Sequence, residues 1–173
     1  TLSPAVTPSG ARNFLFTEHR CLRCQLTKVS VMKILPFVSL TIAMFSPALS
    51  AETHYLAIQV NEDDVNAMNM ALNNAQNAER YYSSQGDDIV IEVVTYGPGL
   101  KMLLQGSSPV AERISAVKKS TGNITFSACE NTIRAMSRAS DAEVKLLSEA
   151  RSVPSGVVRL MQLQEQGYSY IRP

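Results

Sequence analysis

Cysteine is scarce in this chain, and only one lies beyond residue 51. Of the three cysteines in 173 residues, Cys21 and Cys24 sit in "CLRC" near the start, and Cys129 stands alone in "FSACENTIRAM". A single cysteine excludes an intramolecular disulfide within 52–173, even in an oxidising compartment. Histidine is as sparse: His19 lies beside "CLRC", and His54 is the only other one. No metal cluster can be assembled from so few ligands, and a Cys–His pair has one candidate base. The C-x-x-C pair has no second pair and no βαβ context, so its spacing does not by itself make a redox or zinc site. Basic charge is also missing from most of the chain. Residues 1–51 hold five Lys/Arg and one Glu, a net +4, so a chain that is +1 overall leaves −3 for the remainder. No basic patch is left to bind nucleic acid. No apolar run reaches the roughly 20 residues of a spanning helix. Neither the G-x-G-x-x-G nor the Walker spacing occurs, so no nucleotide cofactor is expected.

What is present begins with the order of residues after Met32. "MKILPFVSLTIAMFSPALSAET" has a basic start at Lys33, an apolar core over 34–45, a breaker at Pro47 and small residues at Ala48, Ser50 and Ala51. That is the layout of a secretory signal peptide, cleaved after Ser50 or Ala51. The reading divides the chain into an upstream leader (1–31), a signal peptide (32–51) and one domain (52–173). It implies a periplasmic or secreted protein with no membrane attachment after cleavage.

Within 52–173 the hydrophobic period switches repeatedly between two and 3.6. "HYLAIQV" reads as a strand. The next segment places Val65, Met68, Leu72, Ala75 and Tyr82 on one helical face, with Asp63 or Asp64 as cap and Gly86 past the end. "DIVIEVVTYG" is β-branched and reads as a second strand. Gly97, Pro98 and Gly99 then turn the chain, and Leu100, Leu103 and Leu104 show helical spacing for about two turns. Ser108 and Pro109 open a helix carrying Val110, Ile114 and Val117. "NITFSA" is a third strand, and the helix after it turns Ile133 and Met136 inward. "ARSV" is a short fourth strand. Ser155 caps a helix with Val157, Leu160 and Met161 as its apolar stripe, and "YSYIRP" is a terminal strand. Such alternation requires parallel pairing, with helices on both faces of the sheet.

Cys129 falls where the third strand ends and a helix begins. Ligands of open parallel sheets sit outside the carboxyl ends of strands, and a helix N-terminus favours the thiolate. The placement fits a solvent-reachable, partly ionised thiol, and equally a small apolar side chain packed in the core. Glu130 could oppose ionisation if it turns toward the sulfur. Asn131 and Thr132 are placed to cap or orient the turn. Gly97 and Gly99 serve turn geometry or line a small pocket. The acidic run Glu62, Asp63 and Asp64 is better explained by helix capping than by acid–base chemistry.

"VVTYGPGLKMLL", "FSACENTIRAM" and "VPSGVVRLMQLQEQGYSYIRP", in this order, resemble the DsrE/DsrF-like family, specifically its small secreted members. The likeness runs over nearly all of 53–173. It implies an α/β three-layer sandwich with a five-stranded, mainly parallel sheet flanked by helices. It also implies a homo-oligomer, a trimer or a hexamer, and a sulfur relay in which a cysteine carries sulfane sulfur as a persulfide. Cys129 matches the carrier, within a Cys-x-Asn-Thr pattern completed by Asn131 and Thr132. Two functions are therefore expected: a sulfur carrier working with a donor or acceptor protein, or a non-enzymatic oligomer that binds a small ligand or partner in the same pocket.

Overall fold

The computed structural model describes residues 50–173. The leader and all but the last two residues of the expected signal segment, with Cys21 and Cys24, lie outside them. The domain runs β1 (Thr53–Val60), α1 (Val65–Gln85), β2 (Asp88–Thr95), a 3-10 helix (Gly97–Leu103), α2 (Ala111–Ser120), β3 (Ile124–Cys129), α3 (Glu130–Ser140), β4 (Ala150–Val153), α4 (Gly156–Glu165) and β5 (Ser169–Ile171). Every strand pairs parallel to its neighbour, in the order β4-β3-β2-β1-β5. The expected five-stranded α/β sandwich is the fold.

That order decides which helix covers which face. From β1 to β4 the chain steps across the sheet in one direction, and right-handed crossovers then put every connection on the same face. The last crossover runs back from β4 to the opposite edge, so the same handedness places α4 on the other face. Packing agrees. Leu56, Ile58 and Val60 of β1, Ile91 and Val93 of β2, and Phe126 and Ala128 of β3 form one core with Met68, Leu72, Leu100, Leu103, Ile114 and Val117. The second face holds a much smaller cluster, Ala57 and Val94 with Leu160 and Leu163 of α4. Strand side chains alternate between faces, so the residues between the core positions point at α4. They include Gln59, Glu92, Ser127 and Cys129, a polar set unusual for a buried sheet face.

Local signals act as their chemistry requires. The Asp64 carboxylate accepts the Asn66 N–H at 2.8 Å and caps α1. Gly86 ends that helix at φ 84°, a conformation that costs other residues about 1–2 kcal/mol. Asp63 pairs with Lys101 at 2.9 Å and Glu62 with Arg172, so the acidic run is spent on a cap and two surface pairs. Tyr82 packs inward while Tyr81 stays exposed.

Three expectations need correction. Val65 is exposed, at the margin of the apolar face of α1. α2 begins at Ala111 rather than at Pro109; the Ser108 hydroxyl accepts the Val110 N–H at 3.3 Å and shapes the turn that precedes the helix. On α4, Val157 and Met161 are 52% and 56% exposed, and burial falls to Leu160 and Leu163. Leu160 holds its expected place, and the buried stripe of this ten-residue helix is narrow because the helix covers only part of one sheet face.

Candidate functional site

Cys129 ends β3 and is the N-cap residue of α3, with extended backbone at φ −70° and ψ 117°. Val153 lies beside it in the β3–β4 register. α4 starts three residues later and brings Gly156 over the sulfur. A methyl group on Gly156 would stand 2.9 Å from Tyr96 Cδ1 and 3.3 Å from Cys129 Cβ. The missing side chain is what lets the helix terminus approach this closely.

Two helix N-termini therefore converge on one atom. The thiol makes no capping hydrogen bond of its own. Burial raises its pKa, but the nearby amides of Gly156 on α4 and of Thr132 and Asn131 on α3, with the Thr132 hydroxyl, favour the anion over the neutral thiol, and the net effect holds the thiol below its ordinary pKa. These N–H groups belong to first turns and have no intrahelical acceptor, so an anion gains bonds there without displacing any. Thr132 is itself held in place: the Gly97 N–H donates to Thr132 Oγ1 at 3.0 Å, which leaves the hydroxyl proton for the sulfur. Glu130 turns away, accepting from the Ser152 hydroxyl at 2.9 Å and pairing with Arg134 at 3.3 Å.

The thiol is less accessible than its position at the sheet edge suggested. Cys129 is 5% exposed, because the N-terminus of α4, at Gly156, packs against it. The expectation of a solvent-reachable thiol fails for a tertiary reason: the crossover to β5 returns over the carboxyl end of β3.

Of the other residues singled out, Gly97, Asn131 and Thr132 are assembled around Cys129. Gly99 is not. A methyl group there would meet Val60 O at 2.4 Å and Asn61 Cα at 2.7 Å, so its role is close packing of the 3-10 helix on the end of β1. His54 stacks on Tyr82 with ring centroids 3.8 Å apart and lies 3.5 Å from Asp87. It sits seven register positions from the level of Cys129, roughly 20 Å along the strands, so the two form no pair. Among the described residues no group of three or more His, Cys, Asp or Glu could hold a metal ion.

The sequence reading missed Gly156, Tyr96 and a buried ionic network beside the thiol. Glu92, in the middle of β2, is 3% exposed. Arg159 of α4 grips it with both arms of its fork, at 2.7 and 2.6 Å. Arg151 of β4 adds a bond at 3.0 Å and the Ser127 hydroxyl one at 2.6 Å. Burial raises the Glu92 pKa; the Arg159 and Ser127 hydrogen bonds and the charges of both arginines outweigh it, so the carboxyl lies below its usual range. A glutamate inside "DIVIEVVT" is the one signal that could have exposed this network, since a charge in an otherwise apolar strand requires a buried partner.

The Thr132 hydroxyl gives a direct test. Thr132→Val keeps the shape but removes the donor to Cys129 and the acceptor for Gly97. The Cys129 pKa should rise and its thiolate fraction at neutral pH fall severalfold. Ultraviolet titration of the thiolate, with Cys129→Ser as blank, measures this. An unchanged titration would mean the backbone amides alone set the pKa.

A solved structure of a protein of unknown function, MTH1491 from Methanobacterium thermoautotrophicum, matches with a TM-score of 0.58 at 28% identity, over 69% of this chain and 99% of that one. No curated protein matches. The model of the DsrE/DsrF-like family matches residues 55–173, which takes in all but the first two residues of β1, the other four strands and the whole surround of Cys129, and the chain belongs to that family.

Proposed function

We propose that this protein is a sulfur carrier whose carrier atom is Cys129 Sγ, in keeping with the sulfur-relay-like role its family suggests. The observation that supports the reading is the convergence of α3 and α4 amides and the Thr132 hydroxyl on one sulfur. A site that favours the thiolate also favours the anionic persulfide. In loading, the thiolate attacks the outer sulfur of a persulfidic donor. The new Sγ–S bond forms as the donor's S–S bond breaks, and the donor leaves as a thiolate with the electron pair. Unloading is the same exchange onto an acceptor thiolate, with no external oxidant or reductant. Because Cys129 is 5% exposed, the α4 terminus must shift for the outer sulfur to be reached.

The proposal extends to location and assembly. The signal-like segment 32–51 supports export to the periplasm or secretion, with 52–173 as the working domain. The apolar outer side of α4, with Val157 and Met161 about half exposed, supports a homo-oligomer; its size, a trimer or a hexamer, rests on the family resemblance alone. The second reading, a non-enzymatic oligomer binding a small ligand, is favoured by the burial of the thiol.

Intact-mass analysis of the exported protein tests the reading. We expect a species heavier by one sulfur atom, reversed by a reducing thiol and absent from Cys129→Ser. The same sample should begin at Ala51 or Glu52 and scatter light as an oligomer. A chain that never gains sulfur after exposure to a polysulfide donor would leave the binding-protein reading in its place.

A further inference from the structure

We propose that the cleft between β4 and α4 is a binding site for a small organic anion, an apolar body carrying a carboxylate or sulfonate group. The cleft encloses about 350 Å3 and is lined by Arg151, Val153, Pro154, Ser155, Val158, Arg159 and Gln162. Its charge is unbalanced: two guanidinium groups face one carboxylate, Glu92. Glu92 and Ser127 take up Nε and Nη2 of both arginines. Among the described residues Nη1 of neither arginine meets a protein acceptor. The inner carboxylate thus holds both guanidinium groups and leaves one donor nitrogen on each without a protein acceptor among the described residues, free to bind an oxyanion. Glu130 does not neutralise them, since it is bound to Arg134 and Ser152.

The walls define the rest of the ligand. Val153, Pro154 and Val158 are apolar, so the anion gains by carrying a carbon body of its own. Ser155, whose side chain makes no capping bond, and the Gln162 amide supply further hydrogen-bonding groups. Val153 is the register partner of Cys129 and Ser155 precedes Gly156, so the cleft abuts the thiol without including it. The inference goes beyond the sulfur-carrier reading and does not require it.

Calorimetric titration of the purified protein with benzoate and with benzenesulfonate tests the site, with neutral benzamide as control. Both anions should bind saturably and benzamide should not. Arg151→Gln removes one outward donor while Arg159 still pairs with Glu92, and Val158→Glu places a carboxylate in the cleft at a half-exposed position. Each should weaken anion binding about tenfold or more, equivalent to about 1.4 kcal/mol. Thermal melting of both variants checks that they are folded, and either one that folds decides the question. Cys129→Ser should bind as the parent does, which separates this site from any persulfide chemistry. Absence of saturable binding, equal binding of benzamide, or full affinity in the folded variants would overturn the assignment.

Discussion

Gly99→Ala should destabilise the domain by about 3 kcal/mol, the upper part of the range for overpacking a closed site. The added methyl group would lie 2.4 Å from Val60 O and 2.7 Å from both Asn61 Cα and Asn61 N. All three are backbone atoms at the end of β1, and no rotamer change can relieve the clash. Relief requires lifting the 3-10 helix, which carries Leu100, Met102 and Leu103 into the main core. Gly97→Ala is a useful contrast. Its nearest neighbour would be 3.8 Å away, but its φ of 54° is left-handed, so strain alone should cost about 1–2 kcal/mol. Gly122→Ala, with open space around it and no positive φ, should be nearly neutral. Urea denaturation of the three variants gives the ranking; a neutral Gly99→Ala would refute the close-packing role and return Gly99 to the list of pocket candidates.

Replacing Glu92 should have the second largest effect. Glu92→Gln keeps the shape but leaves the Arg159 and Arg151 guanidinium groups without their counter-charge. Removing one partner of a fully buried pair costs about 3–5 kcal/mol. Here Arg159 is partly exposed and Arg151 more than half exposed, and solvent screens what remains, so about 2 kcal/mol is expected at neutral pH. The pH dependence has a definite sign. The folded-state pKa of Glu92 is depressed, so its contribution is fully present above the unfolded value of about 4.3. It is lost as the pH falls from there through the lower folded-state pKa. The stability gap between parent and variant should accordingly hold between neutral pH and about pH 5, then narrow under more acid conditions. A gap that widens on acidification would mean that the carboxyl is protonated in the folded protein.

Most of the secondary structure was legible because it follows from local chemistry. The β-branched runs at 88–95 and 124–129, the Asp64 cap and Gly86 stop of α1, and the strand–helix alternation that demands a parallel sheet are statements about neighbours in sequence. So was the placement of Cys129 at a strand end opening a helix, which needs only residues 124–132. The family resemblance added the identity of the fold.

The limits appear where a residue's role depends on something distant in the chain. The local sequence places Cys129 where β3 gives way to α3, with Thr132 close behind. It could not determine that Gly156, twenty-seven positions on, closes over the same sulfur, because that depends on the reversed crossover from β4 to β5. The same crossover buries the thiol, splits the apolar residues of α4 between the sheet and solvent, and brings Arg159 to Glu92. Gly97 and Gly99 looked alike in sequence; only tertiary contacts separate the one that donates to Thr132 from the one pressed against the end of β1. Local structure is set by the preferences of adjacent residues. The site is set by handedness and by which strand edge is still open, and those are properties of the assembled sheet.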